Sequence, residues 1–125
     1  MRKYLFLMLV TILLLVACNS PELSIQEVES IPSKVQDRIN TDYTLQLIND
    51  SEKGDAYIIY QSEGAVTAEL ELKEKRLDIK LENTDQDNSS LKQFVYKITR
   101  GDAEYDTINV LVNGQATPLD NVSGF

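Results

Sequence analysis

Apolar residues occupy every second position from Val66 to Leu72 and again from Leu77 to Leu81, with polar residues between them. The apolar set is Val66, Ala68, Leu70, Leu72, Leu77, Ile79 and Leu81. Residues two apart lie on the same face of a strand, so the pattern predicts two half-buried β-strands. A two-residue loop at Glu74-Lys75 keeps both apolar sets on one face, because it places Lys73 opposite Arg76. The sequence therefore predicts a β-hairpin with this register.

Other segments have strand composition and are separated by turn residues. They are Tyr43–Ile48, Ala56–Gln61, Leu91–Thr99, Tyr105–Val112 and Gln115–Leu119. In the second of these segments apolar residues occupy both odd and even positions, which is typical of a strand covered on both faces. Asn113-Gly114 is the dipeptide of a type I′ hairpin turn, and Arg100-Gly101-Asp102 predicts a further β-turn. Short strands at this spacing predict an all-β domain, a small antiparallel β-sandwich or partly open barrel of about six to seven strands.

Both ends of this domain have apolar residues that we expect to pack onto it. Ahead of the first strand, residues 32–39 predict one short helix, since Ser33 and Gln36 have capping-box spacing. Val35 and Ile39 then share a helix face that can pack against the domain edge. At the other end, we expect Phe125 to pack back onto the domain.

The N-terminal residues have the composition of a secretory signal peptide. Arg2 and Lys3 precede an apolar run over residues 4–16. This run is shorter than the ~20 residues that a membrane-spanning helix needs. Leu15, Val16 and Ala17, followed by Cys18, resemble the bacterial lipobox. The resemblance implies recognition through residues 15–17, a diacylglycerol thioether on Cys18, cleavage before it, and acylation of its amine by a fatty acid such as palmitate.

This interpretation divides the chain into a signal peptide (1–17), a lipidated cysteine with a flexible tether (18–30) and a β-domain (31–125). Two acyl chains hold a protein on a membrane far more firmly than one. We therefore expect a monomeric lipoprotein anchored at the extracytoplasmic face of the cell membrane. The alternative is an incidental Cys18 at the end of an uncleaved leader.

Charge and histidine content exclude several classes of function. The chain has 12 basic and 20 acidic residues and no His, and removing the leader leaves a net charge of −10. Nucleic acid is disfavoured as a partner, because its phosphates require clustered Lys and Arg. Without His, and with Cys18 carrying lipid, Ser-His-Asp and Cys-His catalysis and the usual zinc and haem sites are excluded. We expect no cofactor and assign no catalytic residue.

Two sets of side chains are candidates for binding. Asp85 and Asp87 lie in a run of oxygen-bearing side chains typical of a calcium loop, although the EF-hand Gly and Glu are replaced by Ser90 and Tyr96. A solvated loop without metal is the alternative. Tyr57, Tyr60 and Tyr105 are candidates for a groove that binds a peptide or glycan, and the alternative places them in the core or on the sheet surface.

Our leading hypothesis is a membrane-tethered β-domain that binds or supports a partner outside the cytoplasm. The chain is also similar to small Gram-positive exported lipoproteins, some of which are labelled peptidyl-prolyl isomerases. The similarity lies in the leader, the tether and an acidic β-domain that ends in Tyr105-Asp106-Thr107-Ile108 and Asn113-Gly114. It implies an isomerase as the alternative function, since that reaction needs a shape-matched groove rather than a nucleophile. A third hypothesis is a lipoprotein inhibitor or immunity factor that uses its acidic surface.

Overall fold

A computed structural model describes residues 22–84 and 90–125, which form a β-sandwich. The elements are β1 (Ser24–Glu27), α1 (Ser33–Gln36), β2 (Leu45–Asn49), β3 (Ala56–Ser62), β4 (Val66–Lys73), β5 (Arg76–Asn83), β6 (Lys92–Thr99), β7 (Thr107–Val112), β8 (Gln115–Ala116) and β9 (Asn121–Gly124). The first sheet has the order β1-β6-β3-β2-β9, and the second has the order β4-β5-β7-β8. The predicted small β-sandwich is confirmed. In the part of the chain that the structure describes, no helix is long and apolar enough to cross a membrane.

The hairpin of β4 and β5 has the predicted register. Lys73 pairs with Arg76 and Leu72 with Leu77. Glu74 in the connecting turn has φ 55°, a left-handed conformation that is uncommon for a residue with a side chain. Because this register places the apolar residues of β4 and β5 on the same face, the apolar face of β5 points into the sandwich. The Leu and Ile side chains of β5 are fully buried there.

The main core lies between the two sheets. From the first sheet come Leu45, Leu47, Ala56, Ile58, Tyr60, Tyr96 and Ile98, and from the second come Leu77, Ile79, Leu81 and Val110. The Tyr96 hydroxyl donates a 3.2 Å hydrogen bond to the carbonyl oxygen of Val66, so this side chain links the two sheets. Burial raises the pKa of Tyr96 to about 12, because the charged form would lose its hydration.

The opposite face of the first sheet is also covered, as the two-sided pattern of β3 predicts. Val35, Ile48, Tyr57, Ile59 and Val95 form this second cluster, with Ile39 and Phe125 packed against it. The predicted return of Phe125 to the domain is therefore confirmed.

The helix predicted over 32–39 is not formed. Only the single turn α1 is helical, and Ser33 does not cap it, because Pro32 occupies the N-cap position without a side-chain hydrogen bond. The segment is held by tertiary contacts instead. Val35 is fully buried, and the buried Gln46 exchanges two hydrogen bonds with the backbone of Asn40, at 2.8 and 3.1 Å. A helix this short cannot recover the cost of its nucleation, so the contacts with the sheet decide its conformation.

The first and last strands account for the difference between nine strands and the predicted six to seven. Residues 24–27, assigned from the sequence to the flexible tether, form β1 and pair with β6. The C-terminal residues form β9, which runs parallel to β2. A second parallel pair joins β5 and β7, so five of the seven strand pairings have the predicted antiparallel sense. Parallel neighbours require a crossover, and a local sequence pattern does not record which strand lies beside which.

The polar residues of the alternating pattern form the outer face of the second sheet, and Asp78 is buried there. Its side chain is only 3% exposed, beneath Arg76, whose guanidinium donates hydrogen bonds of 2.9 and 3.2 Å to the two carboxylate oxygens. These bonds hold the pKa of Asp78 below its usual value. Asp78 lies on a strand with neighbours on both sides, Glu71 of β4 and Asn109 of β7, which explains its burial.

The strand registers place the loops at two ends of the sandwich. Ser24 pairs with Thr99. The "tether end" contains Ser24, the loops over residues 50–55, 74–75 and 100–106, and Phe125. The "far end" contains the described loops over residues 62–65 and 113–120, and the start of β2. The two ends are about 23 Å apart, since β6 advances about 3.3 Å for each residue along its length.

Candidate binding cleft

A cleft of about 390 Å³ opens at the far end, between the margins of the two sheets. Its lining consists of Thr44, Leu45, Tyr60, Val112, Asn113, Gln115, Thr117, Pro118 and Asp120. Most ligand sites are concave, with apolar walls and a few polar groups that set orientation. The far-end cleft has this composition.

The floor of the cleft belongs to the main core. Leu45 and Tyr60 are paired partners on β2 and β3, and they are 2% and 6% exposed. Side chains at paired positions of neighbouring strands project to the same face, so both point between the sheets. The aromatic ring and the Leu side chain therefore form a rigid apolar surface at the base of the cleft.

A tight hairpin forms one rim. Asn113 and Gly114 have φ values of 52° and 81°, the left-handed pair that a type I′ turn needs and that the dipeptide predicts. The side-chain amides of Asn113 and Asn83 are joined by a 2.6 Å hydrogen bond, and the backbone N–H of Asn83 donates to the Asn113 oxygen. These bonds fix the hairpin to the end of β5.

Asp120 fixes the opposite rim. One carboxylate oxygen accepts hydrogen bonds of 3.0 Å from the backbone N–H groups of Thr44 and Leu45, and the Asp120 N–H donates to the Leu45 carbonyl at 2.8 Å. The segment that crosses from β8 to β9 is thereby attached to the start of β2. Asp120 is the one charged residue in the lining, and its carboxylate is engaged with the backbone. With a carboxylate and no basic side chain in its lining, the cleft disfavours an anionic ligand, and the rest of the lining suits an uncharged one.

The three predicted groove tyrosines do not meet. Tyr60 lies in the cleft, whereas Tyr57 packs in the second cluster on the opposite face of β3. Tyr105 lies at the tether end, with its ring centroid 4.6 Å from the Arg100 guanidinium carbon. Burial raises the pKa of both Tyr57 and Tyr105, although Arg100 opposes the shift at Tyr105. Tyr57 and Tyr60 are three positions apart on β3, and side chains an odd number of positions apart on a strand point to opposite faces. These two tyrosines therefore cannot share a groove.

Other predicted sites lie outside the described residues. These are the lipobox residues Leu15, Val16, Ala17 and Cys18, and the calcium candidates Asp85 and Asp87. Within residues 22–84 and 90–125, no group of three or more acidic, Cys or His side chains is placed to hold a metal ion.

A second cavity, of about 480 Å³, lies at the tether end beside α1. Its lining contains Lys34, Asp37, Arg38 and Glu52, with the Phe125 ring. The Lys34 ammonium lies 5.8 Å from the centre of that ring, within range of a cation–π interaction. Since long charged side chains dominate this lining, the cavity lacks the rigid apolar floor of the far-end cleft.

Most of the cleft was not identified from the sequence. The role of Asp120 depends on Thr44 and Leu45, which lie about 75 residues earlier in the chain. Only Tyr60 and the Asn113-Gly114 turn carried a local signal for this region.

Comparison with known proteins adds no relative, since no protein-family model, no curated protein and no solved structure matches this chain.

Proposed function

We propose that this protein is a lipid-anchored extracytoplasmic domain that binds an extended, uncharged peptide segment in the far-end cleft. The observation that carries the proposal is the position of Cys18. It ends a basic and apolar leader, and it lies six residues before Ser24, where the first strand begins. A thiol is the side chain best suited to alkylation, and a folded domain follows it with almost no intervening chain.

The composition of the cleft supports a peptide as the ligand. Its rim includes β8, which is the edge strand of the second sheet. An edge strand offers backbone groups to an extended chain, and the neighbouring apolar floor offers a place for side chains. The neutral lining of Asn113, Gln115 and Thr117 can bond to peptide groups without requiring charge on the ligand.

Anchoring is tested with Cys18→Ser. We expect the variant to lose fatty-acid labelling completely and to remain uncleaved or leave the membrane fraction, because the hydroxyl cannot replace the thiolate as nucleophile. Metabolic labelling and the intact mass of the purified protein measure this. The double variant Cys18→Ser/Ser20→Cys is the matched control, since it restores a thiol outside the lipobox and should stay unlabelled. Unchanged labelling in Cys18→Ser would refute the anchor.

Peptide binding is tested by filling the mouth of the cleft. Gln115→Trp should weaken binding of a short acetylated and amidated peptide of Val, Thr and one Pro by about tenfold or more, or ~1.4 kcal/mol. Thr107→Trp places the same side chain at an exposed position at the tether end and should bind as the original protein does. Calorimetric titration of the full lipidated chain in detergent measures both. If the original protein does not bind the peptide, the cleft assignment is wrong.

The same peptide and protein separate the other two hypotheses in two further measurements. An isomerase would accelerate the cis–trans exchange of the peptide's proline, which NMR exchange spectroscopy detects. An inhibitor or immunity factor that acts through its acidic surface would bind more weakly as salt is added. Binding of an uncharged peptide in the cleft predicts affinity that is nearly independent of salt.

A further inference from the structure

We infer that the tether holds the far-end cleft away from the bilayer, so that its partner must reach it from the aqueous phase. This orientation rests on the proposed lipidation of Cys18. It assigns the cleft a partner that is water-soluble or projects from a surface, rather than a lipid or a segment within the membrane.

The register of β1 determines where the chain enters the domain. Ser24 pairs with Thr99, the last residue of β6, and therefore lies at the tether end. Only residues 19–23 separate it from Cys18. Fully extended, the chain from residue 18 to residue 24 spans at most about 21 Å. A random coil of the same length has a root-mean-square span of about 13 Å.

The cleft lies at the diagonally opposite corner of the first sheet. Its floor residues Leu45 and Tyr60 are level with Phe94, five residues along β6 from Thr99, which is a displacement of about 17 Å. Tyr60 on β3 and Leu45 on β2 are two and three strands from β1, which adds about 10 and about 14 Å across the sheet. Together these displacements place the floor about 20–22 Å from Ser24.

These lengths exclude an inverted domain. For the far end to touch the bilayer, Ser24 would have to stand about 23 Å above it, the length of β6. A fully extended tether falls short of that height, and stretching it would also cost conformational entropy. The tether end must therefore be the end nearer the membrane.

The charge distribution does not favour this orientation, so the length of the tether must determine it. The tether-end loops carry seven acidic residues, Asp50, Glu52, Asp55, Glu74, Asp102, Glu104 and Asp106, against Lys53, Lys75 and Arg100. An anionic bilayer repels such a surface. The repulsion lifts the tether end from the bilayer only as far as the short tether allows.

Energy transfer to lipid headgroups tests the orientation. A dye can be attached to one introduced cysteine, because lipidation of Cys18 leaves no other free thiol in the chain. A dye is attached to Lys75→Cys at the tether end or to Gln115→Cys at the cleft. The lipidated full chain is placed in phosphatidylcholine–phosphatidylglycerol vesicles that carry acceptor headgroups. We expect transfer from position 75 to exceed that from position 115 by about twofold or more, given their ~20 Å difference in height.

A longer tether is the matched control. Inserting about ten Gly and Ser residues after Ser20 should reduce the difference, because the flexible span then approaches the length of the domain. Equal transfer from the two positions in an acylated protein of original length would overturn the orientation alone. A protein without acyl mass on Cys18 would overturn the proposed function, and the orientation with it.

Discussion

Replacing Ile58 with alanine should lower the free energy of unfolding by about 3–5 kcal/mol. Ile58 lies on β3, the central strand of the first sheet, and its side chain is fully buried between the sheets. Its removal loses the transfer free energy of the methyl groups and leaves a cavity that a packed sandwich cannot close. Domains of this size have only about 5–15 kcal/mol of stability, so the change is a large part of the total.

Urea denaturation at neutral pH measures this change. Ile58→Val should cost about 0.5–1.5 kcal/mol, since most of the side chain remains. Thr67→Ala, on the exposed face of β4, should stay within about 0.5 kcal/mol of the original protein. A loss below ~1 kcal/mol for Ile58→Ala would contradict a closely packed core at this position.

Ending the chain after Asp120 should destabilise the domain by about 2–4 kcal/mol and cause it to self-associate. The truncation removes β9 and Phe125, whose ring packs on the second cluster. It also removes the 3.0 Å hydrogen bonds that join Phe125 to Asn49 and Ser51. Each lost hydrogen bond contributes about 1 kcal/mol, and the partly buried aromatic contributes a similar amount or more.

Self-association is expected because the truncation makes β2 an edge strand. Four of its five residues are buried in the intact protein, and an exposed apolar edge is a template for pairing with another chain. Denaturation curves and light scattering after size-exclusion chromatography measure the two effects. Val122→Thr keeps β9 and changes a side chain that is 55% exposed, so it should remain stable and monomeric. A truncated protein as stable and monomeric as the original would show that β9 contributes nothing.

The hairpin of β4 and β5 and the buried Asp78 show what a local sequence pattern can and cannot predict. The alternation of apolar residues excludes every odd shift between β4 and β5, and the two-residue loop Glu74-Lys75 selects the observed register among the rest. The buried state of Asp78 had no such signal. It follows from Asn109 of β7, a neighbour brought beside β5 by a parallel pairing across a long connection.

The sequence by itself determined the class of fold, the two-sided burial of β3, the turn at Asn113-Gly114 and the return of Phe125. It also supplied the resemblance to a lipobox on which the proposed location depends. Tertiary structure alone decided that residues 24–27 join a sheet and that β9 lies parallel to β2. The reason is that periodicity records the face on which a side chain lies. Which strands become neighbours depends instead on hydrogen bonds and burial between segments far apart in the chain, such as Asp120 and Leu45.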